Sequence, residues 1–329
     1  MNHIAGKDVG VTGGAGFIGS HLVELLAAQE PSRLVVVDDF SSGSRENVAQ
    51  VAGRVELIEG DVRDVDVAAA LGGLDVVFHL AVRNVRASIK DPRTNLTVNA
   101  GGTLEVLEAM RLGARGSFVY VSSSEVYGIP ESGEYTEVVA PQPTTVYGTG
   151  KLAGEHVANA YHHTYALNTR VIRPFNNFGP RSHFEGDSGE VIPKFILRAL
   201  AGKPLLIHGS GEQTRDFMYV EETAFWLASI AGVPGLEGHT VNIGSGRETR
   251  ILDLAELILA KTGSDSSISF GPPRPGDLPR LVADTTRIES HLSFELSIDL
   301  DEGLDRTIEH FMVGDVEGML AEEVESTWI

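Results

Sequence analysis

The stretch from Asp8 to Phe40, DVGVTGGAGFIGSHLVELLAAQEPSRLVVVDDF, is compatible with few folds. Val9 and Val11 make a short buried strand, and Gly13, Gly14, Gly16 and Gly19 follow as G-G-x-G-x-x-G. Beyond Ser20, Leu22, Leu25 and Leu26 have helical spacing that ends near Pro31. RLVVVDDF is then an apolar strand closed by Asp38 and Asp39. Glycines let the backbone approach a pyrophosphate seated on the helix N-terminus, and a carboxylate ending the second strand holds ribose hydroxyls. Asp38 falls 19 residues after Gly19, the context that dinucleotide binding requires. An acid there favours NAD, because a 2′-phosphate would meet negative charge and no Arg follows before Arg45. Asp38, which ends the strand, is preferred as the ribose ligand, with Asp39 the alternative.

Two further strands extend the unit. VELIEGDVRD leads to Asp61, within reach of the adenine, and LDVVFHLAV ends at the cofactor. Phe17, Ile18, Val62, Leu80 and Ala81 join the cofactor-binding candidates on these segments. His79 sits inside an apolar strand and reads as a core histidine.

At 329 residues the chain suits two lobes sharing a core. Lys and Arg total 26 against 46 Asp and Glu, a net charge of −20 that repels nucleic acid. An anionic substrate must therefore be met by arginines converging locally. The absence of Cys excludes disulfides, zinc–thiolate sites and cysteine nucleophiles. His162-His163 reads as a helix face, and Asp187 and Glu190 lack the partners of a metal site. No apolar run approaches the roughly 20 residues that cross a bilayer. The start, MNHIAGKDVG, lacks a secretory pattern, so a cytoplasmic location without a membrane partner is expected.

FVYVSSSEVYG is the next strand, and TVYGTGKLAGEHVANAYHHTY begins about twenty residues later as a helix. Tyr147 and Lys151 stand four apart, hence on one face. A nearby ammonium and a positive nicotinamide favour tyrosinate, which takes a hydroxyl proton while hydride leaves the same carbon. Ser123 can share that hydrogen bond.

With these motifs in place, the chain resembles an extended short-chain dehydrogenase/reductase of the nucleotide-sugar epimerase/dehydratase family. The likeness runs through GGAGFIGSH, GDVRD, HLA, SSSEVYG, Tyr147-x-x-x-Lys151, RPFNNFGPR, QTRDFMYVEE, NIGSG and RPGD. It implies an α/β fold: a Rossmann-type doubly wound parallel sheet with a smaller, discontinuous C-terminal lobe. The NAD-binding part would span 1–177 with a return segment 216–246, and the nucleotide-sugar lobe 178–215 and 247–329. It also implies a tightly held NAD that oxidises a hexose at C4 and returns the hydride. Asn99 then resembles the residue supporting the active-site helix beside the cofactor, Asn176 one that contacts the sugar diphosphate, and Arg215 and Arg274 the pair that clamps it. Guanidinium forks suit phosphate oxygens. A homodimer through GTLEVLEAMRLG and GKLAGEHVANAYHHTYA is a further implication.

Glu125 decides between reactions. An epimerase needs only C4 oxidation and return of hydride to the other face. A 4,6-dehydratase or a uronate decarboxylase resembles this segment with an acid, and Glu125 is a candidate C5 base. Ser124 stands where dehydratases resemble an Asp, which argues against an ordinary dehydratase. The expected function is a nucleotide-sugar 4-epimerase on a UDP-hexose or UDP-uronate, with Ser123, Ser124, Glu125, Tyr147 and Lys151 at the reacting centre. The alternatives are dehydration or decarboxylation through Glu125, and, from a different class, a non-catalytic NAD-binding protein. Arg83 and Arg86, just past the fourth strand, are the candidates for meeting a uronate carboxylate.

Overall fold

The computed structural model describes residues 3–113, 116–130, 132–185, 189–274, 277–292 and 296–321. Six strands come from the first part of the chain: β1 (Asp8–Thr12), β2 (Arg33–Asp38), β3 (Glu56–Glu59), β4 (Val76–His79), β5 (Ser117–Val121) and β6 (Asn168–Pro174). A seventh, Thr240–Ile243, returns to lie beside β6. Across the sheet the order is Thr240–Ile243, β6, β5, β4, β1, β2, β3, with every pairing parallel. This is a Rossmann-type doubly wound sheet.

Alternate residues of each strand enter different cores, as a period of two requires. Leu34, Val36, Val76, Phe78 and Val119 face one side with Leu22 and Leu26 of helix α1 (Phe17–Ala28). Val35, Val37, Val77, Phe118 and Tyr120 face the other, with Val106, Leu107 and Met110. Burial on both faces explains the near-continuous apolar strands. Strand order reverses between β1 and β4, so a crevice opens at their C-terminal ends.

A separate apolar core contains Phe178, Phe195, Ile196, Leu254, Ile258, Leu304 and Phe311. The helices Val191–Leu200, Ile251–Thr262 and Leu300–Val313 supply most of it. Phe217 and Tyr219, expected with the first lobe, also pack here. Buried Asp216 links distant segments: it accepts from the N–H groups of Ser245 (2.8 Å), Gly246 (2.9 Å) and Ala283 (3.1 Å). Within the return segment, Val220–Ile230 is a helix. After Gly314 the acidic C-terminal segment forms a helix at Val316–Ala321, and 322–329 lie outside the described residues. No helix among the described residues is long and apolar enough to cross a membrane.

Candidate active site

A cavity of about 760 Å³ runs from the crevice at the ends of β1 and β4 to the second core. Its first end is built by the glycine turn. Gly13 has φ +69°, and a Cβ there would stand 2.7 Å from the backbone of Ala81. A Cβ on Gly19 would stand 2.0 Å from the Gly13 carbonyl oxygen, so α1 starts hard against the turn. Gly16 caps α1 without a side-chain hydrogen bond, leaving the first-turn N–H groups to an anion. Gly13, Gly16, Phe17, Ile18, Gly19, Asp38, Asp61, Val62, Leu80 and Ala81 all line this end.

Asp38 accepts from the N–H groups of Ala15 and Phe40, each at 2.8 Å, and burial pushes its carboxyl above the usual range. A carboxylate has about four acceptor sites, so lone pairs remain for ribose hydroxyls. Asp39 instead pairs with Arg83 at 2.9 Å. Asp61 is held low by its hydrogen bonds from Arg63. These residues fit NAD.

Two placements refine the expectation. Arg83 lines the cavity and pairs with Asp39 at the cofactor end through Nη2. Asn99 does not line the cavity: it sits in the π-helical turn Thr97–Gly102, buried behind the wall. Its amide is used on the main chain of Arg83, accepting from N–H at 2.9 Å and donating to the carbonyl at 3.1 Å. Asn99 thus fixes the loop after β4 from behind the cavity wall.

The reacting centre lies midway. The helix Val146–Tyr165 is capped by Thr145, whose hydroxyl accepts from Gly148 N–H at 3.0 Å. Tyr147 and Lys151 face the cavity from successive turns. The Tyr120 hydroxyl donates to the Lys151 carbonyl at 3.1 Å, and the ammonium lies 4.5 Å from the Tyr120 ring centroid. A cation over a ring face is favourable. Burial drives Lys151 down to about 7, opposed by Glu155. Burial also pushes Tyr147 up to about 12, against a hydrogen bond with Ser123, while Glu125 reinforces the rise. In the protein alone, desolvation thus holds the Tyr147 hydroxyl above its ordinary value, opposite to the lowering expected.

Glu155, one turn beyond Lys151, is a support that sequence reasoning missed. It accepts from Arg173 Nε at 2.8 Å and Nη2 at 2.6 Å, and from the Ser122 hydroxyl at 2.5 Å. The spacing Tyr147, Lys151, Glu155 was the available signal: all three share a helix face.

Glu125 lies in the short helical turn Ser124–Val126, and the Ser123 hydroxyl accepts its N–H at 3.2 Å. Its carboxylate lines the cavity and accepts no hydrogen bond from another described side chain. Burial pushes its pKa up, against Arg215 and Arg86. Ser124 is buried beside it.

At the far end Asn176, Arg215, Arg274 and Arg86 line the cavity with apolar Phe195 and Ile207. Arg215 donates to the carbonyls of Thr214 (2.7 Å) and Leu278 (2.8 Å) and pairs with Asp277. Burial lowers Arg274 to about 10, with Arg86 adding to the fall. Two arginines so placed can grip an anion against the global charge. His183, Glu190, Gln213 and Asp277 also line this end and went unread as ligand contacts. Among the described residues no group of three or more His, Cys, Asp or Glu is placed to hold a metal, and Asp187 lies outside them.

The model of the NAD dependent epimerase/dehydratase family matches residues 9–244. The chain belongs to that family. It is 37% identical to the UDP-glucose 4-epimerase of Mycolicibacterium smegmatis over 92% of this chain and 97% of that one. It is also 37% identical to UDP-glucuronic acid decarboxylase 1 of Xenopus tropicalis, over 93% of this chain and 72% of the relative. Among solved structures it is similar to the UDP-N-acetylglucosamine 4-epimerase from Methanobrevibacter ruminantium M1 in complex with UDP-N-acetylmuramic acid. That match has a TM-score of 0.89 and 32% identity, covering 94% of this chain and 99% of the other. As a member of the NAD dependent epimerase/dehydratase family, the chain is an NAD-dependent enzyme.

Proposed function

We propose that this enzyme is a nucleotide-sugar 4-epimerase acting on a UDP-linked hexose. The observation that carries the reading is the convergence of Tyr147, Ser123 and Lys151 in one cavity with the glycine cradle and the arginine end. NAD, when bound, supplies the acceptor and donor of the C4 hydride. Tyr147 takes the C4 hydroxyl proton and later returns it, while Ser123 shares the hydrogen bond. Lys151 supplies positive charge one helical turn away. Asn176, Arg215 and Arg274 hold the diphosphate, leaving the hexose to turn between the two orientations. Ser124, a hydroxyl rather than a carboxylic acid, stands beside Glu125 and offers a poor proton donor for a departing C6 hydroxyl.

A second reading, elimination or decarboxylation, is favoured by one observation: Glu125 presents its carboxylate to the cavity. The decarboxylase relative gives that reading its context.

The two apolar cores support a division into a Rossmann lobe, 1–177 with 216–246, and a nucleotide-sugar lobe, 178–215 with 247–329. Exposed Leu104, Leu112 and Tyr165 on Thr103–Leu112 and Val146–Tyr165 support a homodimer through these helices. A cytoplasmic location completes the proposal. Incubation with UDP-glucose and chromatography of the products tests the reaction. Interconversion with UDP-galactose is expected; a 4-keto-6-deoxy sugar from UDP-glucose, or a pentose from UDP-glucuronate in a parallel incubation, would replace this reading with the second.

A further inference from the structure

We infer that Asn95, which lies behind the cavity wall, is a positioning residue for NAD: its buried amide fixes the loop after β4 that borders the cofactor end. This role is independent of which sugar turns over, since it concerns the NAD-binding crevice alone. The loop, 81–84, joins β4 to the helix Val85–Lys90, and all four of its residues line the cavity. At its start the Ala81 backbone packs on the glycine turn, where a Cβ on Gly13 would stand 2.7 Å away. Further on, Arg83 reaches Asp39, the neighbour of Asp38, at 2.9 Å. The loop is neither strand nor helix, so its main-chain groups need other partners.

Side chains behind the wall supply them. The Ala81 N–H donates to the Thr12 hydroxyl at 3.2 Å, and the Arg83 N–H donates to Asn99 Oδ1 at 2.9 Å. Asn95 takes the carbonyls: its Nδ2 donates to Arg83 at 2.8 Å and to Asn84 at 2.9 Å. Its Oδ1 accepts from Asn99 Nδ2 at 3.1 Å. Asn95 is only 1% exposed, and both of its amide hydrogens are used. A buried amide is costly unless it is paired, and here the pairing bridges two successive carbonyls and so sets the turn between them. Asn84 then caps the next helix, accepting from the Ala87 N–H at 2.9 Å, so the path that carries Arg86 along the cavity starts from the same turn. Asn95 itself rides on the helix Pro92–Leu96, whose cap Asp91 accepts from the Thr94 N–H at 3.0 Å. The amide thus holds the loop from a separately anchored element.

The test loads the full chain with labelled NAD and follows its release into excess unlabelled NAD, in wild type, Asn95→Ala and Asn95→Asp, with thermal melts as the folding check. Two neutral hydrogen bonds are together worth roughly a tenfold change or more, so Asn95→Ala should release NAD at least about tenfold faster than wild type. Turnover of UDP-glucose at saturating NAD should fall by less than about threefold, because the variant leaves Tyr147, Ser123 and Lys151 in place. Asn95→Asp keeps the shape but sets a carboxyl against two carbonyls. Ionised, it repels both; protonated, it donates to one, and burial favours the protonated form. Its release rate relative to wild type should therefore be high near pH 8 and fall towards one near pH 5.5. That readout stands even where Asn95→Ala fails to fold. Release unchanged in the folded variants, a kcat loss as large as the gain in release, or an Asn95→Asp ratio flat across pH would each overturn the role. Faster release with no turnover of UDP-glucose in wild type would sink the epimerase reading and leave the role of Asn95 intact.

Discussion

Glu155 stands behind the reacting centre, joined to Arg173 and Ser122, and its replacement by glutamine can be worked through quantitatively. The two charged side chains are only 3% and 5% exposed. Arg173 also lies over the Tyr127 ring at 4.6 Å. Removing the carboxylate leaves a buried guanidinium without its counter-charge, a change that costs about 3–5 kcal/mol. With an unfolding entropy of roughly 2.1 cal/mol/K per residue, 329 residues give about 0.7 kcal/mol/K, so Tm falls by about 4–7 °C. Urea and thermal melts of Glu155→Gln measure this. The double variant Glu155→Gln/Arg173→Met removes both charges and should be less destabilised than the single one. A single-variant loss below about 1 kcal/mol, or a double variant that merely sums two losses, would refute the reasoning.

Other consequences are simpler to state. Tyr147→Phe should lower kcat by about 10²–10⁴ while the purified protein still releases NAD on denaturation; full activity would remove Tyr147 from proton transfer. Gly19→Ala drives a Cβ to 2.0 Å from the Gly13 carbonyl oxygen, so the variant should lose bound nucleotide, seen in its ultraviolet spectrum, and about 1–3 kcal/mol of stability. Lys151 has a folded pKa near 7, below its ordinary 10.5, so the unfolded chain binds more protons between those values. The stability of the NAD-free protein should therefore rise with pH across that window, and Lys151→Met should flatten the rise in denaturant titrations; an unchanged slope would contradict the assignment.

The βαβ unit was legible because its glycines, helical leucines and apolar strands answer to local geometry alone. Tyr147 and Lys151 were legible for the same reason, since four residues on a helix define a face. Contacts between distant segments were not. Arg83 and Arg86 are three residues apart and read alike, yet Asp39, 44 residues away, draws one of them to the cofactor end. Asn99 read as a support beside the active-site helix, but its partners, the Arg83 main chain and the Asn95 side chain, come from the loop after β4 and the turn before it. Glu155 needed Arg173 from β6 to reveal its use. Composition said only that anionic substrates must be met by local arginines; which arginines depended on the second lobe.

The central claim is that C4 loses and regains its own hydrogen while the rest of the sugar is untouched. Proton NMR of UDP-glucose turning over in D2O tests it most directly. The account predicts a new sugar whose H4 coupling is inverted, with no deuterium at C4 or C5. Deuterium at C5 would show that a base, with Glu125 the candidate, removes the C5 proton, and would contradict the epimerase mechanism.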